Sequence, residues 1–275
     1  MNSMSQAIPI ADRTLEELFP ERLTWSLCIH IDKGTEVWVV SGMLVQYLES
    51  ATDSVIVRDE DHNPIGTIGG KEIMENLLKN PTSQLFYGTK VEDIMEPKPV
   101  IVSKNTKYKD LIKIWKERGR AYAIIPNEWG FYSAISAQKI LELGKRCKTD
   151  RTIEDLPKKK KMTFKKDDTF GDLINLMFEN KSRKILLEGT NKYLSDRLII
   201  EAISEKMKHL KETDDFLNES VNIVDLEEAK VVSDNLKINK VSSVMYDMAH
   251  PFVIYKDWLV TPWDICNVLS LPDIT

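Results

Sequence analysis

Four short segments of this 275-residue chain place a small or hydroxyl residue between an apolar strand end and the start of a helix. They read Thr67-Ile68-Gly69-Gly70-Lys71-Glu72-Ile73, Ala134-Ile135-Ser136-Ala137-Gln138-Lys139-Ile140, Tyr193-Leu194-Ser195-Asp196-Arg197-Leu198-Ile199 and Leu259-Val260-Thr261-Pro262-Trp263-Asp264-Ile265. A junction of this kind presents free backbone N–H groups and the positive end of a helix dipole, which favour an anion such as phosphate. The last copy adds Thr261 and Asp264, a hydroxyl and a carboxylate three residues apart. An ionised carboxylate is acceptor-only and can take two donors at once. The same letters also describe a helix start, with Thr261 as N-cap, Pro262 at the first helical position and Asp264 in the first turn. On the residues alone, ligand binding and capping both stand.

The elements that must position these junctions repeat in register. Met43, Leu111, Leu173 and Val241 occupy one helix position, and Tyr47, Trp115, Met177 and Met245 the position four residues on, which puts both on one helix face. Further along, Val55, Ala123, Ile185 and Val253 open short strands over residues 54–57, 122–125, 184–187 and 252–255. Turn-rich stretches such as 127–130 and 188–192 follow, then a second strand that enters the opening motif. With a leading strand such as 27–31 or 100–102, each unit reads β-α-β-β-α and spans about 60 residues, more than most solenoid repeats. The expected class is α+β, with repeats at 13–80, 91–146, 151–207 and 218–270.

Three stretches carry a family resemblance: Val91-Glu92-Asp93-Ile94-Met95 followed by Pro99-Val100-Ile101-Val102, its echo Ile153-Glu154-Asp155-Leu156, and Thr261-Pro262-Trp263-Asp264-Ile265. Together with the register they resemble the cystathionine β-synthase (CBS) domain, in four copies from about Arg13 to about Ser270. Repeat 1 diverges most, with no clear leading motif. A single unit leaves one sheet face uncovered, so packing in pairs is expected. The resemblance implies pseudo-symmetric pairs with a cleft on each side. Chain order points to repeats 1 with 2 and 3 with 4, divided near the polar stretch 145–152.

In the family, the hydroxyl residue and the acid three positions later hold a nucleotide, the acid accepting from both ribose hydroxyls. Repeat 4 keeps both, as Thr261 and Asp264. Repeat 1 has Gly69 with Glu72, repeat 2 Ser136 with Lys139, and repeat 3 Ser195 with Leu198. The resemblance places phosphate partners just before a strand of the neighbouring repeat, at Arg183, Lys184 and His250. Arg183 is preferred for its planar fork. Arg120 with Glu72 forms a weaker second site. The plain readings are an exposed loop arginine for Arg183, a structural histidine before Pro251 for His250, and a solvated loop for the lysine run 158–161, which could also add positive potential. Trp115 is assigned to the core, and Trp129, Trp258 and Trp263 to surface or partner contacts.

The implied protein is a stand-alone regulator that senses AMP, ADP or ATP in the repeat 3/4 cleft and modulates a separate partner. The alternatives are a scaffold with empty clefts, or S-adenosylmethionine or nucleic acid as ligand. Arg183 discriminates among these, being useful for phosphate and gratuitous for a sulfonium.

Composition narrows the classes. At 42% hydrophobic residues the chain can bury real cores, while no apolar run nears the ~18 residues a membrane span needs. The first ten residues lack the cationic start and apolar core of a secretory signal. Cys28, Cys147 and Cys266 have no paired spacing, which argues against disulfides and zinc. A net charge of −5 argues against a nucleic-acid surface. The expectation is a cytoplasmic protein without a metal, with a homodimer left open. Nucleophile-elbow, phosphate-loop and His-Glu-x-x-His motifs are absent, and His30, His62, His209 and His250 do not cluster in sequence, so no enzyme activity is expected.

Overall fold

The computed structural model describes residues 7–20, 27–46, 54–127, 130–205 and 216–275. Tyr47, Trp129 and His209 lie outside the described residues.

Repeats 1, 3 and 4 have the expected order of elements, while in repeat 2 the leading strand expected at 100–102 is a single bridge from Ile101 to Ile124. Repeat 1 comprises β1 (His30–Asp32), α1 (Val37–Gln46), β2 (Ser54–Arg58), β3 (Pro64–Gly69) and α2 (Gly70–Lys79). Strand β4 (Glu96–Pro97) leads into repeat 2, which has α3 (Tyr108–Arg118), β5 (Tyr122–Pro126), β6 (Tyr132–Ser136) and α4 (Ala137–Arg146). Strand β7 (Lys159–Lys160) leads into repeat 3, with β8 (Thr163–Phe164), α5 (Phe170–Glu179), β9 (Lys184–Leu187), β10 (Lys192–Ser195) and α6 (Asp196–Glu205). Strand β11 (Glu227–Glu228) leads into repeat 4, with β12 (Lys230–Val232), α7 (Ile238–Tyr246), β13 (Val253–Tyr255), β14 (Trp258–Val260) and α8 (Pro262–Leu269).

Consecutive repeats exchange edge strands. The repeat 1 sheet runs β1-β2-β3-β4 and so takes its last strand from the segment leading into repeat 2. In return Leu27, just ahead of β1, bridges Ser133 of β6. The second half of the chain does the same: β11 pairs with β10 of repeat 3, and β7 lies beside β14 of repeat 4. A strand of two residues carries no readable hydrophobic period, so sequence could not show this exchange.

The chain forms two compact units: residues 1–28, 100–159 and 232–275 in one, and 29–99 and 160–231 in the other. They group repeat 2 with repeat 4 and repeat 1 with repeat 3, a departure from the division near 145–152 that chain order suggested. The reason lies in the helices, whose apolar faces need cover beyond their own sheet. Ala137, Ile140, Leu141, Leu143 and Gly144 of α4 are all buried.

In the first unit α4 packs against α7 and α8 of repeat 4. The approach is close at Gly144, where an added Cβ would sit 2.8 Å from Ser242 Cβ and 3.0 Å from Ile265 Cγ2. One apolar cluster runs through both repeats, from Leu111, Trp115 and Ile140 to Val241, Ile265 and Leu269. Buried Tyr108 on α3 donates its hydroxyl to the Cys266 carbonyl near the end of α8 at 2.9 Å. Tyr108→Phe leaves that carbonyl without its donor, and urea unfolding is expected to show a loss of about 1–3 kcal/mol. An unchanged midpoint would remove the bond from the account.

The second unit repeats the scheme. Arg197, second residue of α6, donates to the Leu44 carbonyl of α1. Gln138, second residue of α4, donates in the first unit to the Met248 carbonyl just past α7, at 3.4 Å.

Candidate functional site

The four strand–helix junctions share a backbone but use their side chains differently. In repeat 3 the Ser195 hydroxyl accepts from Leu198 N at 3.2 Å, and in repeat 2 Ser136 accepts from Lys139 N at 3.4 Å. These are N-caps. Lys139 also folds back, its ammonium 2.9 Å from the Ala134 carbonyl, so a cation stands where the family places its acid. In repeat 1 Glu72 accepts from Gly69 N at 2.8 Å.

Repeat 4 inverts the pattern. Asp264 Oδ2 accepts from Thr261 N and from the Thr261 hydroxyl, both at 2.8 Å, so the hydroxyl donates to the acid instead of capping the helix. The acid is 1% exposed. Its second oxygen, Oδ1, accepts no hydrogen bond; Lys159 Nζ lies 2.8 Å away, at ion-pair distance but without hydrogen-bond alignment. The carboxylate is therefore divided, one oxygen given to the helix start and the other to a replaceable partner.

That partner comes from the lysine run, in which Lys158 and Lys159 stay exposed yet meet specific partners. Lys159 opens β7 against β14 and turns its ammonium onto Asp264. Lys158 sits over the Trp258 ring, 4.5 Å from its centroid. Lys256, at the hairpin between β13 and β14, lies 5.5 Å from the same ring. Glu154 accepts from Lys256 and, at 2.7 Å, from the Tyr255 hydroxyl. The Lys256 bond first and the tyrosine second hold the Glu154 carboxyl below its usual range, and the same acid raises Lys256. Trp258 also meets Tyr255 edge-on at 5.8 Å. Trp263 is partly buried and packs against the core, 6.4 Å from Trp115.

The remaining site candidates are dispersed. Thr261, Asp264, His250 and Arg120 belong to the first compact unit, and Arg183, Lys184 and Glu72 to the second. Arg183 has a carboxylate partner in its own repeat, with Nε 2.8 Å and NH2 2.7 Å from Asp196 Oδ2. Asp196 was missed in the sequence. It fits because Gly70 at the start of α2 leaves room: an added Cβ there would lie 2.1 Å from Asp196 Oδ2. His250 is buried, and Lys184 pairs with Ser195 across the β9–β10 ladder. Burial raises the Cys266 thiol far out of its reactive range, and that of Cys147 to about 11. Among the described residues no group of three or more His, Cys, Asp or Glu is placed to hold a metal ion, and no helix is long and apolar enough to cross a membrane.

No protein-family model matches the chain, and no curated protein does. Among solved structures, protein MJ1225 of Methanocaldococcus jannaschii, described as a candidate archaeal homolog of g-AMPK, matches 93% of this chain and 99% of its own at TM-score 0.75 and 13% identity. The CBS-domain protein ATU1752 of Agrobacterium tumefaciens matches 51% of this chain and 98% of its own, at TM-score 0.42 and 13% identity. PAE2072 of Pyrobaculum aerophilum, a CBS-domain protein solved with AMP, matches 46% and 89%, at TM-score 0.37 and 12% identity. At such identities the likeness is one of fold. Over nearly its whole length the chain has the fold of MJ1225, with four repeats of the kind the CBS-domain resemblance implies.

Proposed function

We propose that this chain is a regulatory protein that senses an adenine nucleotide, AMP, ADP or ATP, through Thr261 and Asp264 of repeat 4. The observation that carries the reading is the divided carboxylate. Asp264 is buried and ionisable, yet Oδ1 accepts no hydrogen bond and meets only a half-exposed ammonium. A ribose hydroxyl can take that place, and rotation of the Thr261 hydroxyl frees a lone pair on Oδ2 for the second. Ligand binding to one arrangement of the repeats then favours that arrangement, which is how occupancy reaches a separate partner.

Arg183, Lys184 and His250 as phosphate-side groups, and Glu72 and Arg120 as a weaker pair, stay proposals carried by the family resemblance alone. Arg183→Ala is expected to weaken ATP and ADP more than adenosine; an equal effect on all three removes Arg183 from the phosphate side.

A second reading, a scaffold with vestigial clefts, is favoured by the caps at Ser136 and Ser195, which leave no acid in repeats 2 and 3. A thermal-shift screen separates the two. A ligand at a hundredfold excess over its dissociation constant stabilises the native state by about 2.7 kcal/mol. The sensor predicts a shift with at least one of AMP, ADP and ATP, and the scaffold a flat screen.

A further inference from the structure

We infer that Lys159 determines the specificity of the repeat 4 site, admitting ligands that carry an anion beside a vicinal diol and disfavouring neutral nucleosides. The inference rests on the nucleotide reading and deepens it. Lys159 Nζ stands 2.8 Å from Asp264 Oδ1, while its side chain is 47% exposed and that of Asp264 1%. The acid is fixed by Thr261 and by burial, whereas the lysine reaches it from an edge strand on a flexible stem. A diol that takes Oδ1 must displace the ammonium.

The consequence depends on what else the ligand carries. A neutral nucleoside replaces an ion pair with hydrogen bonds and leaves the ammonium without its counter-ion. A nucleotide brings its own anion, so the ammonium exchanges one partner for another after a short swing, and the pair of charges is conserved. The neighbourhood favours the second outcome. Lys158 and Lys256 flank Trp258 on the adjoining hairpin, and only Lys256 of these two has a carboxylate partner among the described residues. Lys158, next to Lys159 in the chain, is thus a cation with no such partner among the described residues.

The test is calorimetric titration of the full chain with AMP and with adenosine, in the wild type, in Lys159→Met and in Lys159→Arg. The wild type is expected to prefer AMP over adenosine at least tenfold. In Lys159→Met adenosine should bind more tightly than to the wild type, and the preference for AMP should fall at least fivefold. Lys159→Arg should retain most of the preference, which shows that the charge and not the strand pairing is responsible. An AMP-to-adenosine ratio unchanged in Lys159→Met, with both ligands bound, overturns the role of Lys159 and leaves the nucleotide site standing. Failure of the wild type to bind adenosine and all of AMP, ADP and ATP overturns the nucleotide reading, and this inference with it.

Discussion

Asp264→Asn is expected to lower the affinity for the preferred adenine nucleotide about ten- to hundredfold, equivalent to roughly 1.5–3 kcal/mol for lost hydrogen bonds to a charged acceptor. Asparagine keeps the shape and one acceptor oxygen, which can still receive Thr261 N. It loses the charge, and it cannot offer two acceptor oxygens to a diol. Stability of the ligand-free protein should change far less, by a few tenths to about 1 kcal/mol for the charge at the start of α8. The opposite pattern, a lower melting temperature with nucleotide affinity untouched, is what pure capping predicts. Oδ2 is held by Thr261, and Oδ1 faces Lys159.

The second large effect is on stability. Gly144→Ala puts a Cβ 2.3 Å from Ser242 Oγ and 2.8 Å from Ser242 Cβ, with Ile265 Cγ2 at 3.0 Å. Carbon–carbon contact at 2.8 Å requires α4 to move away from α7, and an overpacked core costs about 1–3 kcal/mol. Ser242 cannot simply turn aside, because its hydroxyl donates to the Ile238 carbonyl at 2.8 Å. Removing the obstructing side chain should relieve the clash, so Gly144→Ala combined with Ser242→Gly is expected to be less destabilised than the sum of the single changes. A coupling of at least ~0.5 kcal/mol in urea denaturation marks residues in direct contact. Strict additivity would place the two helices apart and contradict the grouping of repeats 2 and 4.

The repeat itself was legible because its signals are local. Leu111 and Trp115 share a helix face by spacing, and both are core residues in the structure. The strand that enters each junction is followed by a residue able to start a helix, which fixes where four of the helices begin. What sequence could not supply were partners far along the chain. Lys159 lies in a four-lysine run that reads as solvated, and nothing in its own neighbourhood points to an acid more than a hundred residues away. Asp196 looks like an ordinary first-turn acid until Gly70 of another repeat is seen to make room for it. Trp263 follows Pro262 at a helix start, a place that reads as exposed, yet the helix packing of repeats 2 and 4 brings it to Trp115. The grouping of alternate repeats was hidden for the same reason, since an apolar helix face declares that it needs cover but not which helix provides it.

The central claim, that repeat 4 holds an adenine nucleotide by its ribose through Asp264, is tested most directly by a crystal structure of the protein grown with saturating AMP. The account predicts a ribose whose hydroxyls lie within hydrogen-bond distance of the Asp264 carboxylate, with the Lys159 ammonium withdrawn from Oδ1 towards the phosphate. AMP bound elsewhere, with Asp264 still facing Lys159, would contradict it.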